Sequence, residues 1–400
     1  MEPIEVRFRW VIGNGESPLE NALVRFEDDG ISEVVTNSVV STTSPVVNAA
    51  LIPGVVNAHT HLEFSDLRDP LTPAEPFTDW IRALLQHRQA RRVPVGEIIE
   101  TGLQEAKQCG TTLLGEINTT GEHPQYATAE TRPLVFRELI GLTADTMTKQ
   151  LEIAREHVTN AGPLSPHAPY SVHPDLLRDI VKISQTASVP VAMHVAETLA
   201  ERELLAHGTG EFRKMLEEFG LFSNELFRDR RPLDELRELS KADRALVVHG
   251  NYLDDEEIGF LSTQPQMTVV YCPRTHAFFG HQPHPWRTLI DRGIRVALGT
   301  DSRASNPDLS VWEEAQFLHR RYPDVPSDAI LRLATRNGEA ALLGEQEAND
   351  DLHGRTLNRL SVIHLPSHSS GDPYGTILHP ESRCRSAREF LESRQSGSHQ

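Results

Sequence analysis

The stretch Leu51-Ile-Pro-Gly-Val-Val-Asn-Ala-His59-Thr-His61 decides how the rest of the chain is read. Side chains alternate across a strand, so two histidines one residue apart share a face on extended chain and diverge on a helix. The apolar pair Val55-Val56 ahead of them reads as a short buried strand. Two imidazoles on one face at a strand end make half of a site for a first-row metal. A single His-x-His is weak evidence, and its meaning depends on the residues downstream of it.

Three later apolar runs each stop at a potential ligand: Pro190-Val-Ala-Met-His194, Ala245-Leu-Val-Val-His249 and Ile294-Arg-Val-Ala-Leu-Gly-Thr-Asp301. Strand-like runs fall near residues 53–60, 111–117, 133–138, 162–167, 190–195, 245–249, 267–272 and 294–300. The stretches between them are long enough for crossover helices, and Pro174–Thr186 carries Leu176, Leu177, Ile180, Val181 and Ile183 at helical spacing. Eight short buried strands alternating with helices predict an α/β fold, a (β/α)8 TIM barrel. In such a barrel the strand C-terminal ends share one rim, so the four ligand-type ends would converge. The segment 199–240 exceeds the length of one crossover and is expected to lay helices over that rim.

Outside the barrel, Ile4, Val6, Phe8 and Trp10, then Ala22, Val24 and Phe26, alternate as in strands. Gly13-Asn-Gly15 and Asp28-Asp-Gly30 supply turns, so the first 50 residues read as a small β-unit. Asn358–Pro366 could add a C-terminal strand. Residues 367–376 read as polar and turn-rich, and 392–400 as a disordered tail.

Composition narrows the partners. With 57 acidic and 39 basic residues the formal charge is −18, which disfavours nucleic acid and anionic membrane. A small-molecule substrate fits better, and a homodimer is left open. Cys109, Cys272 and Cys384 are far apart and match no zinc-finger spacing, which predicts free thiols in a reducing, cytoplasmic compartment. The first ten residues hold no apolar leader core, and no apolar run is long enough to span a bilayer.

At this point the chain resembles the amidohydrolase superfamily, in its mononuclear branch of cytosine-deaminase-like and chlorohydrolase-like enzymes. The resemblance rests on His59-Thr-His61, His194-Val-Ala-Glu197, His249-Gly250 and Thr300-Asp-Ser302. Ser165-Pro-His-Ala-Pro-Tyr-Ser171 and Ala334-Thr-Arg-Asn-Gly-Glu-Ala-Ala-Leu342 add to it. It implies a barrel over residues 51–345 and a small β-sandwich assembled from residues 1–50 and 346–400. The Gly-Lys-x-Ala-Asp-Leu run that commonly precedes the last strand is missing, so a reduced sandwich is expected.

The resemblance also implies a site. His59, His61, His194 and Asp301 would hold one divalent metal ion, zinc first, with iron and manganese as alternatives. Such an ion lowers the pKa of bound water towards ~7. Asp301 would take that water's proton, although an Asp-Ser pair after a strand also suits a helix N-cap. Glu197 corresponds to the carboxylate that shuttles protons in the resembling deaminases, against the alternative of a surface Glu in the run Glu197, Glu201, Glu203. His249 would contact substrate or attacking water, and His167 would orient substrate. Cys272-Pro-Arg-Thr-His276 departs from the Cys-Pro-x-Ser-Asn of many relatives and leaves the roles of His276, His281 and His284 open. A binuclear site would need a lysine on the fourth strand, and 162–167 has none.

The reading is therefore a metal-dependent hydrolase that deaminates a purine-like or other amino-heterocycle. The rival chemistries on the same site are hydrolysis of a carbon–chlorine bond or a cyclic amide. A non-catalytic binding protein on the same fold is the third reading. Specificity is expected from the rim loops 62–95, 120–132, 199–240 and 273–288.

Overall fold

The computed structural model describes residues 3–13, 17–36, 45–121, 123–344, 352–367 and 371–397. Four strands come first: β1 (Ile4–Val11), β2 (Leu19–Glu27), β3 (Gly30–Val35) and β4 (Val46–Pro53). Eight follow: β5 (Val55–Thr60), β6 (Thr111–Asn118), β7 (Arg132–Leu139), β8 (Leu164–Pro166), β9 (Val191–Val195), β10 (Ala245–His249), β11 (Met267–Tyr271) and β12 (Arg295–Leu298). These eight form one parallel sheet in strict sequence order. A parallel bridge between Thr60 and Asp301 closes it into a barrel. The eight strand-like runs of the sequence are the eight barrel strands.

Parallel strands buried on both faces read as continuous apolar runs. β5, β9, β10 and β11 are buried at every position. Val56, Ala58, Ala192, Leu246, Val248, Val270 and Ala297 form the inner cluster. Their neighbours Val55, Val191, Met193, Val247 and Val269 face outward into the helices. The helix Pro174–Ala187, for example, buries Leu176, Leu177, Ile180 and Val181 there.

The decisive stretch is shared between two sheets. Leu51–Pro53 ends β4, which belongs to a six-stranded terminal sheet, and the barrel begins at Val55. Gly54 is the switch: a Cβ there would lie 2.2 Å from Thr112 Oγ1. The terminal sheet runs β14-β13-β4-β1-β2-β3, with β13 (Leu360–His364) and β14 (Arg383–Ser386) from the C-terminal segment. The sandwich is reduced to this one sheet. Its far strand β14 carries only four residues and was not visible in the sequence.

Two expectations about the C-terminal segment need correction. Pro373–Ile377 is a helix overlapping the stretch 367–376 expected to be turns, of which 368–370 lie outside the described residues. Ala387–Gly397 is also helical, and Phe390 and Leu391 pack it on the terminal sheet. Residues 398–400 of the expected tail, and Asn14-Gly15 of the first turn, lie outside the described residues. Among the described residues no helix is long and apolar enough to cross a membrane, and all three cysteines are free.

Of the three helices in 199–240, two lie at the rim, Leu199–His207 and Gly210–Glu218. Their Leu204, Leu205, Phe212, Met215 and Leu216 join Phe64, Phe77 and Trp80 in an apolar cluster. The third, Pro232–Leu239, places Leu236 and Leu239 in the outer layer of the barrel, as the crossover between β9 and β10.

Candidate active site

The ligand-type residues meet where the barrel closes. Ligand atoms of His59, His61 and Asp301 lie within 4.8 Å of one another, and so do those of His59, His194 and His249. Asp301 Oδ1 is 3.6 Å from both His59 Nε2 and His61 Nε2. All five side chains are buried. His249 thus sits inside the cluster, closer than a residue that only touches substrate.

Backbone strain marks the same spot. The alternation that puts Leu246 and Val248 in the barrel interior would turn His249 outward. Its left-handed φ of 67° brings the ring back to the cluster. Ala196 (φ 53°) and Asp301 (φ 57°) are also left-handed. A non-glycine residue there costs about 1–3 kcal/mol, and such positions gather at functional sites. The β5–β6 pairing shifts register between Asn57 and Thr60. Asn57 Nδ2 donates to Thr300 Oγ1 at 2.8 Å, tying the His59 strand to the Asp301 turn. Gly299 allows this approach, since a Cβ there would meet His59 O at 2.9 Å.

The donor set suits a divalent cation. Both ring nitrogens of His59, and Nδ1 of His61, are buried without a hydrogen-bond partner among the described residues. Orphaned buried nitrogens are costly unless a lone pair binds something. His194 Nδ1–H donates to the His167 carbonyl at 2.8 Å, which leaves Nε2 free to ligate. Burial, then the neighbouring imidazoles, push His61, His194 and His249 well below the ordinary histidine range, so they stay neutral. Asp301 Oδ2 accepts from Ser305 Oγ at 2.8 Å, leaving Oδ1 towards the histidines. β8 holds no lysine; Lys149 and Lys182 lie on the helices Ala144–Val158 and Pro174–Ala187.

Glu197 faces the same cavity and is buried, with Oε1 3.3 Å from His249 Nε2. Burial, then Asp301 and Glu201, raise its carboxyl well above the usual range. Glu201 is not a surface residue: it is fully buried and accepts the N–H groups of Ala196 and Glu197 at 2.8 and 3.2 Å. It therefore fixes the turn that aims Glu197. His167 also lines the cavity; its Nδ1 contacts Ser171 Oγ at 2.6 Å, and burial lowers it to about 3.

The histidines left open in the sequence support the site from outside it. His284 Nε2–H donates to the His249 carbonyl at 2.8 Å, and its ring stacks on Tyr271 at 3.9 Å. His276 Nε2–H donates to Gln282 O, and His281 Nδ1 pairs with Tyr252 Oη. The departing motif has its own role. Arg274 binds Asp308 and Glu314, and Asn306 bridges Glu314 to the Thr300 carbonyl, holding the Asp301 loop.

The cavity over the cluster measures about 280 Å³. Segments 62–95 and 199–240 line it, as expected, through residues such as Phe64, Trp80, Leu84, Met215 and Phe219. Among the described residues, segments 120–132 and 273–288 contribute none to the lining. Glu138, Ile140, Gly141, Leu142 and Thr146 line the wall instead, and no local pattern in the chain signals them.

A family model for amidohydrolases matches residues 50–344. This chain belongs to the amidohydrolase family. The amidohydrolase is 29% identical over 339 residues to a 5-methylthioadenosine/S-adenosylhomocysteine deaminase of Pyrococcus furiosus, covering 79% of this chain and 76% of that protein. It is 30% identical over 315 residues to the aminodeoxyfutalosine deaminase of a Nitratiruptor species, covering 74% and 75%. The solved structure of an atrazine chlorohydrolase from Arthrobacter aurescens, complexed with zinc, shares the fold at a TM-score of 0.73 and 16% identity, covering 95% and 92%. The amidohydrolase is a hydrolase of carbon–nitrogen bonds other than peptide bonds, and its His/Asp cluster supports a divalent metal ion.

Proposed function

We propose that this amidohydrolase is a mononuclear hydrolytic deaminase of a purine-like amino-heterocycle. In this reading the barrel, expected over residues 51–345 and beginning in the structure at Val55, is the catalytic unit, and the two terminal segments form its flanking unit. His59, His61, His194 and Asp301 hold the metal, with zinc favoured because the relative of known structure complexed with zinc shares this fold. When bound, the ion supplies water whose pKa is lowered to about 7.

The chain's own groups do the rest. Asp301, with one oxygen held by Ser305, takes a proton from the attacking water. Glu197 delivers a proton to the leaving amine, because amide ion is too basic to depart. His249 steadies Glu197 at 3.3 Å, and His167 orients the ring. The buried carboxyl of Glu197, which faces the cavity beside the ligand cluster with Oε1 3.3 Å from His249 Nε2, carries the proposal. A chloride leaving group needs no such acid. The named deaminase relatives support the same choice. An ammonia-release screen of metal-loaded protein over amino-heterocycles, with chloride release from chlorinated counterparts, tests it. Ammonia is expected, and chloride alone would overturn the reading.

A further inference from the structure

Building on the deaminase reading, we infer that Glu138 selects the substrate by receiving the hydroxyls of a sugar-like segment attached to the amino-heterocycle. Glu138 is the penultimate residue of the third barrel strand, is 6% exposed and lines the cavity. Among the described residues no group donates a hydrogen bond to its carboxyl, and no cation lies within 4 Å of it, although its backbone is paired in the barrel ladder. Burial lifts its carboxyl to about 7. None of the proposed chemical steps uses it.

A buried carboxylate without donors is costly, and in a cavity wall the donors come from the occupant. Arg88 lines the same wall, but its guanidinium donates to Glu63 at 2.6 Å and lies 5.0 Å from the centre of the Phe64 ring. A pair of adjacent hydroxyls gives two donors to one carboxylate and offers oxygen acceptors to Arg88. A ligand ammonium would satisfy Glu138 but meet the like charge of Arg88. Trp80, Leu84, Met215 and Phe219 make other parts of the lining apolar, so the demand for hydroxyls is local.

The test measures binding of a product-type oxo-heterocycle nucleoside and its analogue without sugar hydroxyls to metal-loaded wild type, Glu138→Gln and Glu138→Ala. Ammonia release from the matching amino-nucleosides is followed in parallel, with metal content as the check on folding. Wild type should prefer the hydroxylated ligand by about 10- to 100-fold, the loss expected for hydrogen bonds to a charged group. Both variants should narrow that ratio to within about threefold. A wild-type ratio already within threefold, or variants that keep the wild-type ratio, would overturn the assignment. Ammonia release without hydroxyl preference sinks this inference alone. Neither binding nor ammonia release from any of these compounds sinks it together with the deaminase reading.

Discussion

The backbone carbonyl of His59 accepts the N–H of Asp301 at 3.1 Å, so the bond that closes the barrel also joins two of the proposed metal ligands. Thr300 donates to the same oxygen at 3.1 Å, and His61 N–H returns to Asp301 O at 3.4 Å. Barrel closure and ligand geometry are therefore one structure, and damage to either should reach the other.

His61→Ala tests that link. It removes one proposed ligand, so metal affinity should fall steeply, and with it the stability that metal binding adds to the folded state. After dialysis against chelator the variant should hold little metal. Its melting temperature should resemble that of stripped wild type. Wild-type metal content after dialysis would remove His61 from the ligand set.

Glu197→Gln keeps the shape of the side chain but cannot carry the proton. Losing a general acid typically costs 10²–10⁴-fold. The kcat for ammonia release should fall by about that range, with metal content unchanged. Turnover within about threefold of wild type would take Glu197 out of the mechanism and favour a leaving group that departs without a proton.

Glu201 should make stability depend on pH. Burial pushes its carboxyl from 4.5 up to about 8 in the folded protein. Between those values the native state binds more protons than the unfolded chain. Its contribution is therefore present in acid, is lost as pH rises through that window, and is flat above it. Relative to Glu201→Gln, wild type should lose stability from pH 5 to pH 8 by an amount on the order of a few kcal/mol. Urea titrations at several pH values read this directly, and a pH-independent difference would contradict it.

Arg274→Ala should destabilise the protein by about 3–5 kcal/mol, because it leaves Glu314 buried without its cation. The loss should appear in the denaturant midpoint. A change under about 0.5 kcal/mol, the scale of an ordinary surface substitution, would show that the network does not hold the Asp301 loop.

Some of this was legible in the chain and some was not. β9 and β10 are short apolar runs buried at every position and β12 is buried over its last three residues, and His194, His249 and Asp301 stand where these runs stop, so pattern alone located them. Glu138 was invisible because it follows Arg137 directly after the apolar run Leu134-Val-Phe136, and nothing local tells a buried glutamate in such a charged pair from a solvated one. Arg274 and Glu314 are forty residues apart, and their pairing arises only from the closed barrel. Glu201 looked like part of an acidic surface run; its burial depends on the left-handed turn at Ala196. The last helix, Ala387–Gly397, is polar enough to read as a tail until the terminal sheet supplies a surface for Phe390 and Leu391.

The most direct test of a mononuclear deaminase is ammonia release during titration of metal-stripped protein with zinc, using an amino-heterocycle nucleoside that the screen identifies. Activity should rise in proportion to added metal and level off at one equivalent per chain. Ammonia release by stripped protein, a plateau only at two equivalents, or no ammonia at saturation would contradict the account.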